Sequence, residues 1–452
     1  MSLARIFNPL TAFVAACIFL AMVYGFAASH FGWFPSRLLT PALDYAFWSL
    51  QSVDTHRLYG ARYDFSGARS YDEDGKVVAV SDEENNREVT LLTSYFATAA
   101  GPRPGVRVVD RRGEVLHEWF FDAAALWPTP RPDPMAVADP FQEYAHGTYL
   151  FENGDVLINV EYHGLVRMNS RGDVIWKCDR RTHHSVHRDE DGNFWVPVLS
   201  YADDLQTVVT KYRGLWPPVN VEGALKLSAD GEILEEHDFM AALFATEHKA
   251  LLWTTGPNAL ARKGDLVHQN NVEPLPKSMA DQYPLFAAGD LVVSLCFLNT
   301  VFVYDPGKRA IKWLQTGPFV RQHDPDFIGD GWISVFDNRW DDSPGGQLLG
   351  GSRLLAVQPH TGAQKVLYAG STTGGGLRRP FYTSLGGKAQ HLANGRWLLT
   401  ETTGGRVFEV DEQGRIRWEW VQEPERKGMI CEVLEGTRYA IPRERVLAWP
   451  KR

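Results

Sequence analysis

The chain of 452 residues is poor in cysteine and carries no excess of positive charge. Its four cysteines, Cys17, Cys178, Cys296 and Cys431, form no C-x-x-C pair, so the sequence indicates neither a thiolate zinc site nor a redox-active dithiol. Lys and Arg number 46 against 55 Asp and Glu, a formal net charge of −9. Without the basic stripe that a phosphate backbone requires, nucleic acid is not expected as a partner.

Several catalytic signatures are missing as well. The sequence has no Gly-rich phosphate loop and no G-x-S-x-G elbow, which leaves nucleotide-driven and serine-hydrolase chemistry without support. No histidine belongs to an H-E-x-x-H helix or an H-x-H pair, so spacing alone predicts no metal site. The three cysteines beyond the N-terminal segment allow at most one internal disulfide, and buried thiols are the favoured interpretation.

One long hydrophobic run is present, at the N-terminus. Residues 10–29 read LTAFVAACIFLAMVYGFAAS, twenty residues without a formal charge, and a helix of that length spans roughly 30 Å, the thickness of a bilayer core. Signal peptides usually have shorter apolar runs of about 7–15 residues. The sequence therefore favours a membrane-anchoring helix within residues 1–34, with the rest of the chain outside the cytoplasm, although the Phe-Ala-Ala-Ser stretch leaves cleavage open.

Residues 35–86 are predicted to connect this anchor to the body of the protein. Residues 35–53 have apolar positions at rough helical spacing, and such an amphipathic helix either lies on the membrane surface or caps the soluble domain. The following polar and acidic stretch, with SYDEDG and SDEENN, is typical of a solvated connector.

From residue 87 onward one unit recurs six times: an apolar strand, a D-x-x-G type turn, and a strand that often carries Trp. The copies are residues 106–119, 165–178, 224–237, 301–314, 354–367 and 407–420. A second unit, with a polar or His-containing start and an Asn-Gly or Asp-Gly turn, precedes most copies, at 146–160, 184–198, 323–337 and 390–402. Glycine at these turns supplies the positive φ that tight hairpins need.

Two hairpins per copy make a four-stranded antiparallel sheet, and the copies follow one another every 60 residues or so. One such sheet cannot bury both of its faces, so radial stacking of the copies is expected. A pair of β-sandwiches would not explain six repeats. Residues 87–452 are therefore predicted to form an all-β, six-bladed β-propeller, preceded by the N-terminal transmembrane helix.

Five histidines stand near the starts of these second units: His146, His184, His268, His323 and His391. Because the innermost strands of a propeller surround one axis, side chains near their starts can meet at one mouth of the channel. A single histidine in such a place is usually structural, but five in equivalent places favour a shared site.

Four segments, in order along residues 87–440, resemble the bacterial aryl sulfotransferase family. They are His183-His184-Ser185 followed by D-x-D-G-N, the His-x-Asn-x-Val stretch 268–272, Gln322-His323-Asp324 ahead of GDGWISVFDN, and the closing copy from 389 onward. The resemblance implies a six-bladed enzyme that moves a sulfuryl group from an aryl sulfate to another phenol, with no nucleotide donor and no cofactor. It also implies export, here as a single-pass protein of the bacterial inner membrane with the propeller in the periplasm.

Carried over to this sequence, the resemblance implies that His323 is the nucleophile that becomes a transient sulfohistidine. His268 and Asn270 would hold the sulfuryl oxygens, and His184 would assist binding or proton transfer. Thr383 is the counterpart of a threonine on the family's last blade.

One departure from the family concerns a cation. Where the family has a Ser-x-Arg strand, this chain reads Ser294-Leu295-Cys296. Loss of a group that stabilises the anionic transition state costs roughly 2–4 kcal/mol. Arg321 is expected to compensate if its segment is extended, because residues 321 and 323 would then share a face.

The chemistry favours histidine independently of the family. Imidazole, with a pKa of about 6.5, is a neutral nucleophile near pH 7 and a good leaving group when protonated, and neighbouring histidines can act as general acid and base. Trp332, Trp340 and Phe297 are expected either to stack on a phenol ring or, more commonly for such residues, to pack between blades.

Two other functional classes stay open from the sequence. Cys296 in place of the family's Arg, together with the anchor, is compatible with a non-catalytic propeller that binds protein partners as a scaffold subunit of a membrane complex. A propeller that binds a metal or a quinone cofactor is the third class.

Overall fold

A computed structural model describes residues 9–31, 34, 66–67, 87–99, 101–129, 144–215, 217–254, 265–341, 346, 348–370, 381–426 and 429–451. The chain divides into two compact units, Met1–Asp64 and Phe65–Arg452. The predicted amphipathic helix over 35–53 lies outside the described residues, as does nearly all of the acidic connector.

In the described part of the first unit, the helix Pro9–Phe31 covers the uncharged run seen in the sequence. Among the described residues, no helix combines the length and the hydropathy that crossing a membrane requires.

The second unit is a six-bladed β-propeller, each blade built on four antiparallel strands in meander order. From the inner to the outer strand, the bounds are Val433–Tyr439, Val89–Phe96, Arg103–Val109 and Val115–Phe120 in blade 1; Ala145–Leu150, Val156–Val160, Gly164–Met168 and Val174–Cys178 in blade 2; His187–Arg188, Phe194–Ala202, Val219–Leu227 and Ile233–Asp238 in blade 3; Gln269–Pro274, Leu291–Leu295, Thr300–Asp305 and Ala310–Thr316 in blade 4; His323–Phe327, Ile333–Asp337, Arg353–Gln358 and Ala363–Ala369 in blade 5; Lys388–His391, Trp397–Glu401, Arg406–Val410 and Ile416–Val421 in blade 6.

Shorter elements decorate the blades. A strand at Arg181–Thr182 extends blade 3, and Ser66–Gly67, Met429–Cys431 and Pro424–Arg426 form a small separate sheet. Among the described residues of this unit, the helices are Ala123–Leu126, Leu205–Lys211, Phe239–Phe244 and Arg443–Leu447, with 3-10 turns at Glu247–Trp253, Lys277–Gln282 and Cys296–Leu298.

All six copies of the first repeat unit form the outer hairpin of a blade, as predicted. The turn of blade 1 shows why these hairpins can be recognised in the sequence. Asp110 Oδ1 accepts hydrogen bonds from the backbone N–H groups of Arg112 and Glu114 at 2.9 Å each, and Gly113 adopts a φ of +78°. An aspartate that closes its own turn, followed by a residue free to adopt positive φ, fixes a tight hairpin.

The inner hairpins of blades 1 and 4 have no copy of the second repeat unit in the sequence, for different reasons. In blade 4 the two inner strands are separated by a connection that contains the Lys277–Gln282 turn. In blade 1 they come from opposite ends of the chain, because Val433–Tyr439 pairs with Val89–Phe96. This pairing closes the ring.

The apolar core lies between blades. Every residue of Val156–Val160 and of Leu291–Leu295 is buried, since both faces of these strands pack against neighbouring sheets. One buried ion-pair cluster interrupts the apolar packing in blade 6, where Arg406 pairs with Glu401 and Glu419.

Candidate active site

Four of the five histidines converge where the inner strands of consecutive blades begin. The ring centroids of His146 and His184 lie 4.5 Å apart, and those of His184 and His268 lie 5.2 Å apart with perpendicular planes. His323 lines the same axial pocket as His146, together with Asn270. Blades 2 to 5 thus each deliver one imidazole to one region of the channel.

His391 does not join this group, so the expectation that all five converge is wrong for this residue. It is the last residue of the inner strand Lys388–His391, where it is exposed and stacks on Trp397 at 4.7 Å. The strand begins at Lys388, and that residue lines the pocket. The repeat in blade 6, read from Gln390, therefore starts too late to reach the mouth of the channel.

The hydrogen bonds of His323 define its tautomer. Its Nδ1 lies 2.8 Å from Asn338 Oδ1 and 3.1 Å from the carbonyl oxygen of Arg321. The Asn338 amide is oriented by its own Nδ2, which donates to the carbonyls of Thr383 and Gly386 at 3.0 and 2.7 Å. Both neighbours of Nδ1 are therefore acceptors, so Nδ1 carries the proton and Nε2 keeps its lone pair.

Burial also keeps His323 uncharged. Loss of solvent around the ring lowers its pKa to about 4, although the hydrogen bond to Asn338 acts in the opposite direction. Near pH 7 the side chain is therefore a neutral imidazole with a free Nε2 lone pair, the form required of a nucleophile.

His268 has a different environment. Its Nδ1 lies 2.9 Å from Asp265 Oδ2, and its backbone N–H donates to Asp265 Oδ1. Burial alone would lower the pKa of His268, but the charge of Asp265 and the hydrogen bond to it outweigh burial and raise the pKa. His268 is therefore the imidazole of the site most readily protonated near neutral pH, as a general acid must be.

His184 lies over a buried polar layer. Its backbone N–H donates to Glu161 Oε2 at 2.9 Å, and its Nδ1 lies 2.9 Å from Nδ1 of His183. Burial lowers the pKa of His184 well below its usual value. Its φ of +51°, like the +48° of His268, is uncommon for a residue with a Cβ and is often found at functional sites.

The pocket also contains a lysine. Lys388 Nζ lies 3.5 Å from both Asp324 Oδ1 and Glu435 Oε1. Burial alone would lower the pKa of Lys388, but these two carboxylates outweigh burial and raise the pKa. Lys388 therefore stays protonated in the pocket wall, where it is paired with two carboxylates that also line the pocket.

Asn270 lines the same pocket with one unused acceptor. Its Nδ2 donates to the carbonyl of Gln322 at 2.9 Å, whereas its Oδ1 is buried and has no hydrogen-bond partner among the described residues. An unpaired amide oxygen at the pocket wall can accept a hydrogen bond from a group such as a phenolic hydroxyl.

Arg321 does not lie in an extended segment, so the expectation that it shares a face with His323 is wrong. Its φ of +56° turns the chain just before the inner strand of blade 5. The guanidinium carbon lies 4.6 Å from the ring centroid of Phe297 and 5.6 Å from that of Trp340. The guanidinium of Arg321 is near enough to Cys296 to act to lower the pKa of its thiol, so a cation stands next to the residue that replaces the family's Arg, although burial outweighs it and raises that pKa to about 12.

Thr383 reaches the site only through another residue. Its hydroxyl donates to the carbonyl of Leu385 and lies 3.2 Å from the hydroxyl of Thr403. Its backbone carbonyl orients the amide of Asn338. The structure thus places Thr383 behind His323, as part of its support, and not among the residues that line the pocket.

A model of the arylsulfotransferase (ASST) family matches residues 147–423, more than half of the chain. The chain belongs to the arylsulfotransferase family. The matched region includes His184, His268, His323 and Lys388, while His146 lies one residue before it.

Solved structures similar to this arylsulfotransferase-family protein are distant. A Bacteroides caccae protein of unknown function is 12% identical, with 77% of this chain and 99% of that chain covered and a TM-score of 0.45. Virginiamycin B lyase from Staphylococcus aureus is 12% identical, with 63% and 73% covered and a TM-score of 0.34. Similarity this distant carries no information on function. No protein of curated function matches the chain.

Three residues that sequence reasoning missed complete the site of this ASST-family member. Asp265 precedes His268 by three residues, a spacing typical of an aspartate that caps its own turn. Asn338 follows directly after the strand Ile333–Asp337. Lys388 carries no signal in a single sequence, because only the register of blade 6 brings it to the pocket.

Of the three aromatic residues named from the sequence, two lie at the site. Phe297 stacks on His268 with ring centroids 4.7 Å apart and an angle of 17°, and Trp340 contacts Arg321. Trp332 instead contacts Lys365 on the outer strand of blade 5, where it packs within the blade.

Proposed function

We propose that this protein transfers a sulfuryl group from an aryl sulfate to a phenol in two steps, through a sulfohistidine on His323. The observation that carries the proposal is the fixed tautomer of His323: a neutral, buried imidazole with Nδ1–H bound to Asn338 and an Nε2 lone pair. Family membership supports the reaction class, and the neighbouring histidines support the proton transfers.

In the first step, the Nε2 lone pair of His323 attacks the sulfur of the aryl sulfate. The N–S bond forms, the S–O bond to the aryl group breaks, and the electron pair of that bond leaves with the phenolate oxygen. His268, held by Asp265, donates the proton that converts the phenolate to a phenol.

In the second step, an acceptor phenol takes the place of the first product. His268, now neutral, removes the phenolic proton with the assistance of His184, and the phenol oxygen attacks the sulfur. The new S–O bond forms, the N–S bond breaks, and His323 returns to its neutral form. The proton is back on His268, so the cycle needs no cofactor.

The anionic sulfuryl oxygens need positive charge during both steps. Lys388 and Arg321 are the cations at the site, and Arg321 takes over the task that an arginine at position 296 would have. Asn270 offers its unpaired Oδ1 to the hydroxyl of the acceptor phenol, and Phe297 and Trp340 offer ring faces for the phenols. Thr383 supports the site by holding Asn338.

The proposal includes an anchor through residues 10–29 and a place for the propeller in the periplasm. Its support is the uncharged run itself, together with the exposure of Phe13, Phe19 and Phe26, between 66% and 74%, on the N-terminal helix. Several large apolar side chains exposed on one helix favour an apolar environment. Membrane fractionation of the full chain, with and without residues 1–34, tests this part.

The reaction is tested with a chromogenic aryl sulfate and a phenol acceptor. We expect turnover by the wild type, no turnover by His323→Ala, and wild-type turnover by His391→Ala, a matched histidine outside the pocket. Donor alone should leave the mass of one sulfuryl group on the peptide that contains His323. Absence of turnover in a folded wild type, together with co-purifying protein partners, would favour the scaffold function that Cys296 suggests.

A further inference from the structure

A second group of side chains lies directly beneath the pocket, and the proposed reaction uses only one of its members, His184. Glu161 follows the second strand of blade 2, and His183 and His184 lie in the loop that enters blade 3. Glu161 and His183 are fully buried, and His184 is 6% exposed. One donor atom from each of the three residues lies within 4.8 Å of the other two.

The spacing of these donors suits a small cation. His183 Nδ1 and His184 Nδ1 are 2.9 Å apart, and His184 Nδ1 and Glu161 Oε1 are 3.2 Å apart. Ligands of a tetrahedral zinc ion, bound at about 2.0–2.1 Å, are separated from one another by roughly 3.3 Å. Two imidazole nitrogens and a carboxylate oxygen are also a donor set that zinc favours, whereas calcium and magnesium favour oxygen alone.

Hydrogen bonding leaves this cluster incomplete. Glu161 Oε1, His183 Nε2 and Glu222 Oε2 are all buried, yet none makes a hydrogen bond within the described part of the chain. Each nevertheless has a polar neighbour at 3.0–3.2 Å, so the atoms are close together but wrongly directed for hydrogen bonds. Of these atoms, Glu161 Oε1 lies beside the two Nδ1 atoms, and a buried carboxylate oxygen without a hydrogen bond next to two imidazole nitrogens indicates a missing ligand.

The charges of Glu161 and Glu222 also favour a bound cation. Within the described residues, the ion pairs of Glu161 and Glu222 are with histidines only, and neither carboxylate is paired with a lysine or arginine. Two buried carboxylates without a permanent cation are costly. A divalent cation would balance both.

We propose that Glu161, His183 and His184 bind one zinc ion through Oε1 and the two Nδ1 atoms. Glu222 Oε2 lies 3.0 Å from Nε2 of His183, so with Nδ1 on the metal the Nε2–H would face a carboxylate, a pairing common around zinc-bound histidines. The ion would fix the His184 ring, which contacts both His146 and His268, and so act as a positioning element. The site does not depend on whether the pocket transfers sulfuryl groups.

The test measures metal directly on the full chain, purified without a polyhistidine tag. After removal of metal with a chelator, the protein is titrated with zinc by calorimetry, and bound zinc is measured by mass spectrometry. We expect one zinc per chain, at least tenfold weaker binding for Glu161→Gln and His183→Gln, and about 10- to 100-fold weaker binding for Glu222→Gln. Cobalt in place of zinc should give the strong visible bands of a tetrahedral ion.

Two controls locate the site and separate it from catalysis. His187, Asp324 and Asp326 form another close group of potential ligands, so His187→Gln should leave zinc binding unchanged if the metal is at Glu161. His323→Ala should abolish sulfuryl transfer but retain zinc. Thermal unfolding checks that each variant is folded. No zinc binding by the wild type, or binding that is lost in His187→Gln and kept in Glu161→Gln, would overturn the proposal and leave a direct hydrogen bond between His183 and His184.

Discussion

Replacing Asn338 with aspartate tests whether the amide really sets the state of His323. The substitution puts a negative charge where Oδ1 now lies, 2.8 Å from Nδ1 of the imidazole. An opposite charge at this distance stabilises the protonated ring, and such neighbours raise a histidine pKa by roughly 1 to 3. The nucleophile of Asn338→Asp should therefore be lost at a higher pH than that of the wild type.

The size of the effect follows from the titration of His323. Because burial lowers its pKa to about 4, roughly nine-tenths of the wild-type side chain is neutral at pH 5. If the pKa in Asn338→Asp moves to about 6, only one-tenth is neutral at pH 5, whereas nearly all of it is neutral at pH 8. We expect kcat/KM to be about tenfold lower at pH 5 in Asn338→Asp. At pH 8 the neutral fraction of His323 is nearly unchanged, so it should have little effect on kcat/KM there.

The assay is the pH profile of kcat/KM for a chromogenic aryl sulfate between pH 4 and 9. Asn338→Ala is the matched control, because it loses the same two bonds to the carbonyls of Thr383 and Gly386 without adding a charge. This variant should lower kcat/KM by a similar factor at every pH. It should also lower the free energy of unfolding by about 1–3 kcal/mol for each carbonyl left without a hydrogen bond. An acidic limb of the wild type near pH 6.5, or superimposable profiles for wild type and Asn338→Asp, would refute the tautomer argument.

Three further predictions concern the fold. Arg406→Met should lower the free energy of unfolding, measured with denaturant, by about 3–5 kcal/mol, because two buried carboxylates lose their cation. The control Arg415→Met, at an exposed ion pair, should lower it by about 1 kcal/mol or less. Gly223→Ala should cost about 1–3 kcal/mol in the same measurement, since a Cβ there would lie 2.0 Å from the carbonyl oxygen of His237; an unchanged midpoint would contradict this packing. A chain that ends before Val433 should show no cooperative thermal unfolding, because blade 1 then lacks its inner strand; wild-type unfolding would show that the closing strand is dispensable.

Much of the fold could be predicted because the hairpin code is local. Asp110 and Gly113 show the principle: a side chain that closes its own turn and a residue that tolerates positive φ lie within four positions of each other. The same short pattern, degraded in the fourth and fifth copies, identified the outer hairpins of all six blades. The inner hairpin of blade 1 could not be found this way, because its strands are more than 300 residues apart in the sequence.

The site was less accessible to sequence reasoning, since it depends on register and on distant partners. His184, His268 and His323 were identified because each precedes or begins an inner strand. His391 was misplaced because a shift of three residues along one strand moves a side chain from one end of the blade to the other. Asn338 and Lys388 act through tertiary contacts with segments that the sequence does not connect to them.

The pairing of Val89–Phe96 with Val433–Tyr439 has a consequence for biosynthesis. During translation, three strands of blade 1 emerge before the other blades, but their sheet is complete only after Val433–Tyr439 has been made. Every earlier intermediate exposes an open strand edge, which is a known route to aggregation. The ring is therefore expected to close only after Val433–Tyr439 has left the ribosome, and a helper that shields that edge would increase the yield of folded protein.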